Sequence, residues 1–178
     1  MAVLIEGISL VIRRDRIVTK FEGGWENFIS LCPNKTLCFD ENLARVGFMA
    51  RQDAIKYADK LKILGLTFFQ DDQFVDFAVV DQVLGPTVKC DWLKFIILEP
   101  LHPPMTITVC ELVGSHEGDS LSVACPAGWD YENSLSKKIQ RSSDEDLSTR
   151  YKYLYTKDGL DVMLDLKTGK EVYVGRSG

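Results

Sequence analysis

Two short segments set carboxylates beside large aromatic rings: Cys90-Asp91-Trp92 and Trp129-Asp130-Tyr131-Glu132. An aromatic face attracts a cation through its ring quadrupole, and a neighbouring carboxylate adds a charge-assisted hydrogen bond. Together these groups recognise lysine and arginine side chains. Asp91, Trp92, Trp129, Asp130, Tyr131 and Glu132 are therefore the candidate binding residues.

Catalytic chemistry has fewer resources. The chain has two histidines, His102 and His116, and five cysteines, Cys32, Cys38, Cys90, Cys110 and Cys125. A cysteine nucleophile needs a base within hydrogen-bond reach, and Cys90 with His102, oriented by Asp91, is the pair that could supply one. A metal would have to draw on His102, His116 and Cys110 or Cys125, and no two of these are spaced as a local chelate. Asp71, Asp72 and Asp76 lack the alternating oxygens, central glycine and terminal glutamate of a calcium loop. They read as a solvated hairpin tip followed by a strand that turns Asp76 outward. No phosphate loop, GxGxxG, GxSxG or HExxH occurs. The expectation is no catalytic residue, no metal ligand and no cofactor.

The elements that would position these residues can be read from the pattern. Residues 3–13 alternate with both faces apolar, as in a strand covered on two sides. A helical turn led by Asp15 and a second short helix over residues 25–31 follow. Two short strands then flank the Asp40-Glu41-Asn42 turn. Ala54, Tyr57, Ala58, Leu61 and Leu64 recur at helical spacing and predict a helix over residues 51–64, with Leu61 its most buried position and Gly65 at its end.

Residues 67–69, 74–80, 92–98, 106–113 and 121–125 read as strands, the last two as a pair, with Gly85-Pro86 a turn. Residues 126–132 read as a loop. Three strands near residues 151–156, 160–165 and 171–174 make a C-terminal meander whose turns carry glycine. The expected fold class is α+β: a mainly antiparallel sheet, one long and two short helices, and the meander. The expected domains are a main body over 1–133, a polar linker over 134–149, and the meander over 150–178, docked on the body. Gly23-Gly24-Trp25-Glu26 and Ala127-Gly128-Trp129-Asp130 echo each other, as a duplicated unit or by chance.

Charge is uneven along the 178 residues. The net charge is −5, but residues 67–132 hold 2 basic and 11 acidic side chains, a net of −9, between flanks of +2 each. Such a chain is a poor nucleic-acid ligand. No apolar run approaches the ~20 residues that span a bilayer. The N-terminus has no basic region ahead of its apolar run and carries Glu6 within it, so it does not read as a signal peptide and the expected location is the cytoplasm. An odd number of widely spaced cysteines suits reduced thiols. The expected function is a non-enzymatic interaction protein whose acidic middle binds a basic protein or peptide, an inhibitor or immunity-like role included. No nucleic-acid or membrane partner is expected. The alternative is a small enzyme or ligand-binding domain using Cys, Asp and Glu near Trp92 and Trp129.

Overall fold

A computed structural model describes residues 1–99, 105–115, 121–138, 151–157, 160–166 and 169–174. The fold class is α+β. The chain divides into two compact units, residues 1–138 and 139–178.

The first unit is built on two sheets. The strands are β1 (Ala2–Ile5), β2 (Ile8–Arg13), β3 (Cys38–Phe39), β4 (Leu43–Phe48), β5 (Phe69–Gln70), β6 (Gln73–Phe74), β7 (Phe77–Asp81), β8 (Gly85–Pro86), β9 (Leu93–Leu98), β10 (Ile107–Leu112) and β11 (Val123–Ala124). The helices are α1 (Arg14–Lys20), α2 (Gly24–Ser30), α3 (Arg51–Ile63) and the single turn α4 (Leu135–Lys138). One sheet has the order β3-β4-β2-β7-β8, all antiparallel; the other has the order β11-β1-β10-β9, with β1 and β11 parallel. β5 and β6 form a separate hairpin.

Strand alternation sorts the core into two layers. Leu10, Ile12, Val46 and Phe77 point from the five-stranded sheet to Ile17, Phe28, Tyr57 and Leu61 of the helices. Val11, Ala78 and Val80 point the other way, to Val3, Ile5 and Cys110 of the four-stranded sheet. Leu61 is fully excluded from solvent, as the α3 stripe predicts.

The expected strand over 3–13 is two strands in different sheets. Gly7 sits between them at φ +59°, and its N–H donates to Oε1 of Gln82 at 2.8 Å. A Cβ at this position would stand 2.6 Å from the Phe48 carbonyl oxygen. Glycine lets the chain leave one sheet and enter the next at a point where the apolar alternation runs on uninterrupted. The expected pairing of 106–113 with 121–125 also gives way. β10 lies between β1 and β9, while β11 lies on the far side of β1. Gly85-Pro86, expected as a plain turn, is an edge strand against β7, a position proline tolerates. Asp15 lies within the first turn of α1 instead of capping it; Arg13 holds the cap position and makes no side-chain capping bond to the helix backbone.

Residues 135–138, at the head of the expected linker, are α4. Ser136 donates its N–H and its hydroxyl to Oε1 of Glu6, at 2.9 and 2.7 Å. The rest of that linker, 139–149, lies outside the described residues. In the second unit β12 (Tyr151–Lys157), β13 (Leu160–Asp165) and β14 (Lys170–Val174) form an antiparallel three-stranded sheet in sequence order, with a register shift between Tyr153 and Tyr155.

Candidate functional site

Trp92 precedes β9 and is held from two sides. Its indole N–H donates to the Phe74 carbonyl at 3.1 Å, and its own carbonyl accepts from Val113 N–H at 2.9 Å. The ring forms part of a depression of about 450 Å³ shared with Arg13, Gln70, Asp71, Gln73, Phe74, Val75 and Asp91. Asp71 and Asp72 form the tip of the β5–β6 hairpin at φ +51° and +60°. Two consecutive left-handed residues make the turn that matches strand twist, and aspartate tolerates it better than most side chains. Both carboxylates are thereby displayed to solvent.

Asp91 pairs with Lys89 at 3.3 Å, both side chains well exposed. The guanidinium carbon of Arg13 stands 5.9 Å from the Trp92 ring centroid, while Arg13 Nη2 bonds Asp15 at 3.0 Å. An internal cation thus already rests against this indole.

The second aromatic group is differently engaged. Tyr131, Glu132 and Asn133 form a 3-10 turn for which Asp130 is the cap, accepting from Glu132 N–H at 3.3 Å and from Asn133 Nδ2 at 2.6 Å. Glu132 forms an ion pair with Lys137, whose pKa the Glu132 hydrogen bond raises. The Tyr131 ring is buried and lies 6.4 Å from that of Trp129, nearly edge-on. Its hydroxyl oxygen accepts from Thr106 N–H at 3.3 Å. The indole N–H of Trp129 is enclosed without an acceptor among the described residues.

β10 is the ruler between the two groups. Trp92 meets its far end at Val113, and Tyr131 meets its near end at Thr106. Seven residues of extended chain separate those anchors, about 23 Å. The six candidate residues therefore form two groups, not one site. Asp91 and Trp92 share theirs with Asp71 and Arg13, which the sequence reading did not connect to them because the contact runs through the fold.

Two carboxylates of the acidic segment are consumed internally. Asp76, expected to face outward, is wholly buried: Lys20 Nζ reaches its two oxygens at 2.9 and 3.1 Å, Arg16 Nε stands 3.6 Å away, and Thr67 N–H donates at 2.7 Å. Glu111 is nearly buried in β10 and pairs with Lys94 at 2.8 Å across the β9–β10 register. A third buried charge lies between the sheets. Arg45 donates from Nε to Ser9 Oγ at 2.8 Å, from Nη2 to the Glu6 carbonyl at 2.5 Å and from Nη1 to the Thr36 carbonyl at 3.3 Å, and burial lowers its pKa.

Nucleophilic chemistry has little to work with in the described residues. Burial pushes the thiols of Cys38 and Cys90 up to about 11 and raises those of Cys32, Cys110 and Cys125 as well. An activated cysteine is shifted the opposite way. His102 and His116 lie outside the described residues, and no group of three or more metal-ligating side chains is present among those described. No described helix is long and apolar enough to cross a membrane.

No protein-family model, no curated protein and no solved structure matches this chain.

Proposed function

We propose that this protein is a non-enzymatic interaction protein that binds a basic protein or peptide, with the Trp92 depression as the point of contact. The observation that carries this reading is the setting of Trp92. Its indole is pinned through Phe74 in a depression lined by Asp71 and Asp91, with the exposed Asp72 beside Asp71 at the hairpin tip. A fixed ring gives an incoming guanidinium or ammonium a stacking surface at low entropic cost, and exposed carboxylates speed encounter and select the partner's sign. Arg13, held on Asp15, stands 5.9 Å from the centroid of the same ring, which supports the reading that this ring accepts a cation. Trp129 lies outside this contact, because Asp130 and Glu132 serve their own turn and Lys137.

The test is fluorescence anisotropy with a labelled nona-arginine peptide. Affinity should fall steeply as salt rises. The double variant Asp71→Lys, Asp91→Lys should weaken binding by about tenfold or more at low salt. Glu22→Lys with Glu26→Lys makes the same change of charge at exposed positions just before and within α2 and should weaken it far less. Equal weakening by both pairs would reduce the effect to net charge and refute the site.

A further inference from the structure

The helix layer leaves a strip of the five-stranded sheet uncovered. α3 packs chiefly over β2 and β4, and β7 lies next in the order. On that flank α3 presents Ala54 and Ala58, which leave space above Ile8, Phe68 and Val79. The result is an open-sided groove of about 240 Å³, with Ala54 and Ala58 buried in its wall and Arg51, Asp59 and Lys62 exposed at its rim. Ile8, Phe68 and Val79 on its floor are only half-buried, so an apolar occupant gains contacts that the chain itself does not supply.

Four charged side chains also line the space. Asp59 and Lys62 neutralise each other at 2.6 Å. Arg51 and Asp81 have no ion-pair partner among the described residues; Asp81 accepts only the N–H groups of Val83 and Leu84, at 2.8 and 3.0 Å, through Oδ1. These two unpaired charges of opposite sign sit at one end of the sheet. Ile8 pairs with Phe48 on one side and Asp81 on the other, and α3 begins at Arg51, just past β4. Two strand spacings, about 10 Å, separate the backbones of Phe48 and Asp81. The lining therefore offers an apolar floor, one free cation and one free carboxylate.

We propose that this groove binds an apolar α-amino acid, with the side chain over Val79 and Ala58, the carboxylate on Arg51 and the ammonium on Asp81. The site is separate from the Trp92 depression and does not depend on it.

Isothermal titration of the full chain with L-phenylalanine tests the assignment, with 3-phenylpropionate and 2-phenylethylamine as analogues that each lack one charge. Phenylalanine should bind saturably, and each analogue should bind about tenfold more weakly or worse, as expected for loss of a charged hydrogen bond. Arg51→Gln and Asp81→Asn should each weaken phenylalanine by a similar factor; Asn keeps an acceptor for the Val83 and Leu84 amides. Ala58→Leu should fill the groove and abolish binding. No saturable binding, equal affinity for an analogue, or wild-type affinity in a folded Ala58→Leu protein would each overturn the proposal. If Ala58→Leu does not fold, the Arg51→Gln and Asp81→Asn proteins decide it alone.

Discussion

Lys20 Nζ reaches both carboxylate oxygens of Asp76, at 2.9 and 3.1 Å, tying the last residue of α1 to the residue before β7. Asp76 is fully buried, whereas the Lys20 side chain remains 36% exposed. Removing the cation strands a buried negative charge, with only Arg16 at 3.6 Å to offset it. Lys20→Met should therefore destabilise by about 3 kcal/mol. Asp76→Asn removes the charge and keeps an acceptor for the Thr67 amide, so it should cost about 1–2 kcal/mol. The double variant should be no less stable than Lys20→Met alone. Urea unfolding of the three proteins measures the coupling.

Arg45 and Gly47 form a second dependency. A Cβ on Gly47 would stand 2.6 Å from Cζ of Arg45, because the guanidinium occupies the space a side chain would take. Gly47→Ala should destabilise by about 1–3 kcal/mol through overpacking. In an Arg45→Met background, whose flexible side chain carries no fork of donors, the same change should cost much less. A double-mutant cycle by chemical denaturation reads the difference; equal costs in both backgrounds would mean the clash is relieved elsewhere.

These two pairs mark where the sequence was silent. The α3 stripe was legible because it buries one face at a period of 3.6, and the strand after the Asp40-Glu41-Asn42 turn because its turn and its apolar run are adjacent in sequence; in both, neighbours in sequence carry the whole signal. The meander was legible from its turn glycines. Asp76 and Arg45 were not, since a buried charge is recognisable only from partners distant in sequence, such as Lys20 and Ser9. Gly7 was hidden for a related reason: the apolar alternation continues across it, and only the non-local pairing of β1 with β10 and of β2 with β4 shows that the sheet changes there. The candidate residues followed the same rule. Asp91 and Trp92 were found as neighbours in the chain, while Asp71 joins them only through the fold.

The two tryptophans should respond differently to loss of the indole N–H. Trp92 donates to Phe74 at 3.1 Å, so Trp92→Phe should cost about 1 kcal/mol or somewhat more through the hydrogen bond and lost ring area. The Trp129 N–H has no acceptor among the described residues, so Trp129→Phe removes an unsatisfied donor along with some area. It should be near neutral. Thermal unfolding of both variants distinguishes them, and a larger loss for Trp129→Phe would show that its N–H is bonded in solution.

The buried thiols set a stability limit at alkaline pH. Burial raises Cys38 and Cys90 from an ordinary value of 9.0 to about 11, and raises Cys110 further. A raised thiol pKa means that the folded state holds the proton more tightly than the unfolded state. Below pH 9 both states are protonated and the thiols contribute no pH dependence. Between pH 9 and about 11 the unfolded chain loses these protons first, which favours unfolding, so stability falls as pH rises through that window. The urea midpoint should be flat from pH 7 to 8.5 with respect to these groups and lower at pH 10. Alkylation by iodoacetamide gives an independent reading. At pH 8 the native protein should react slowly at Cys38, Cys90 and Cys110, and the urea-unfolded chain should react at all five cysteines at the rate of free thiols. Rapid native labelling of Cys90 would show a depressed pKa and return it to consideration as a nucleophile.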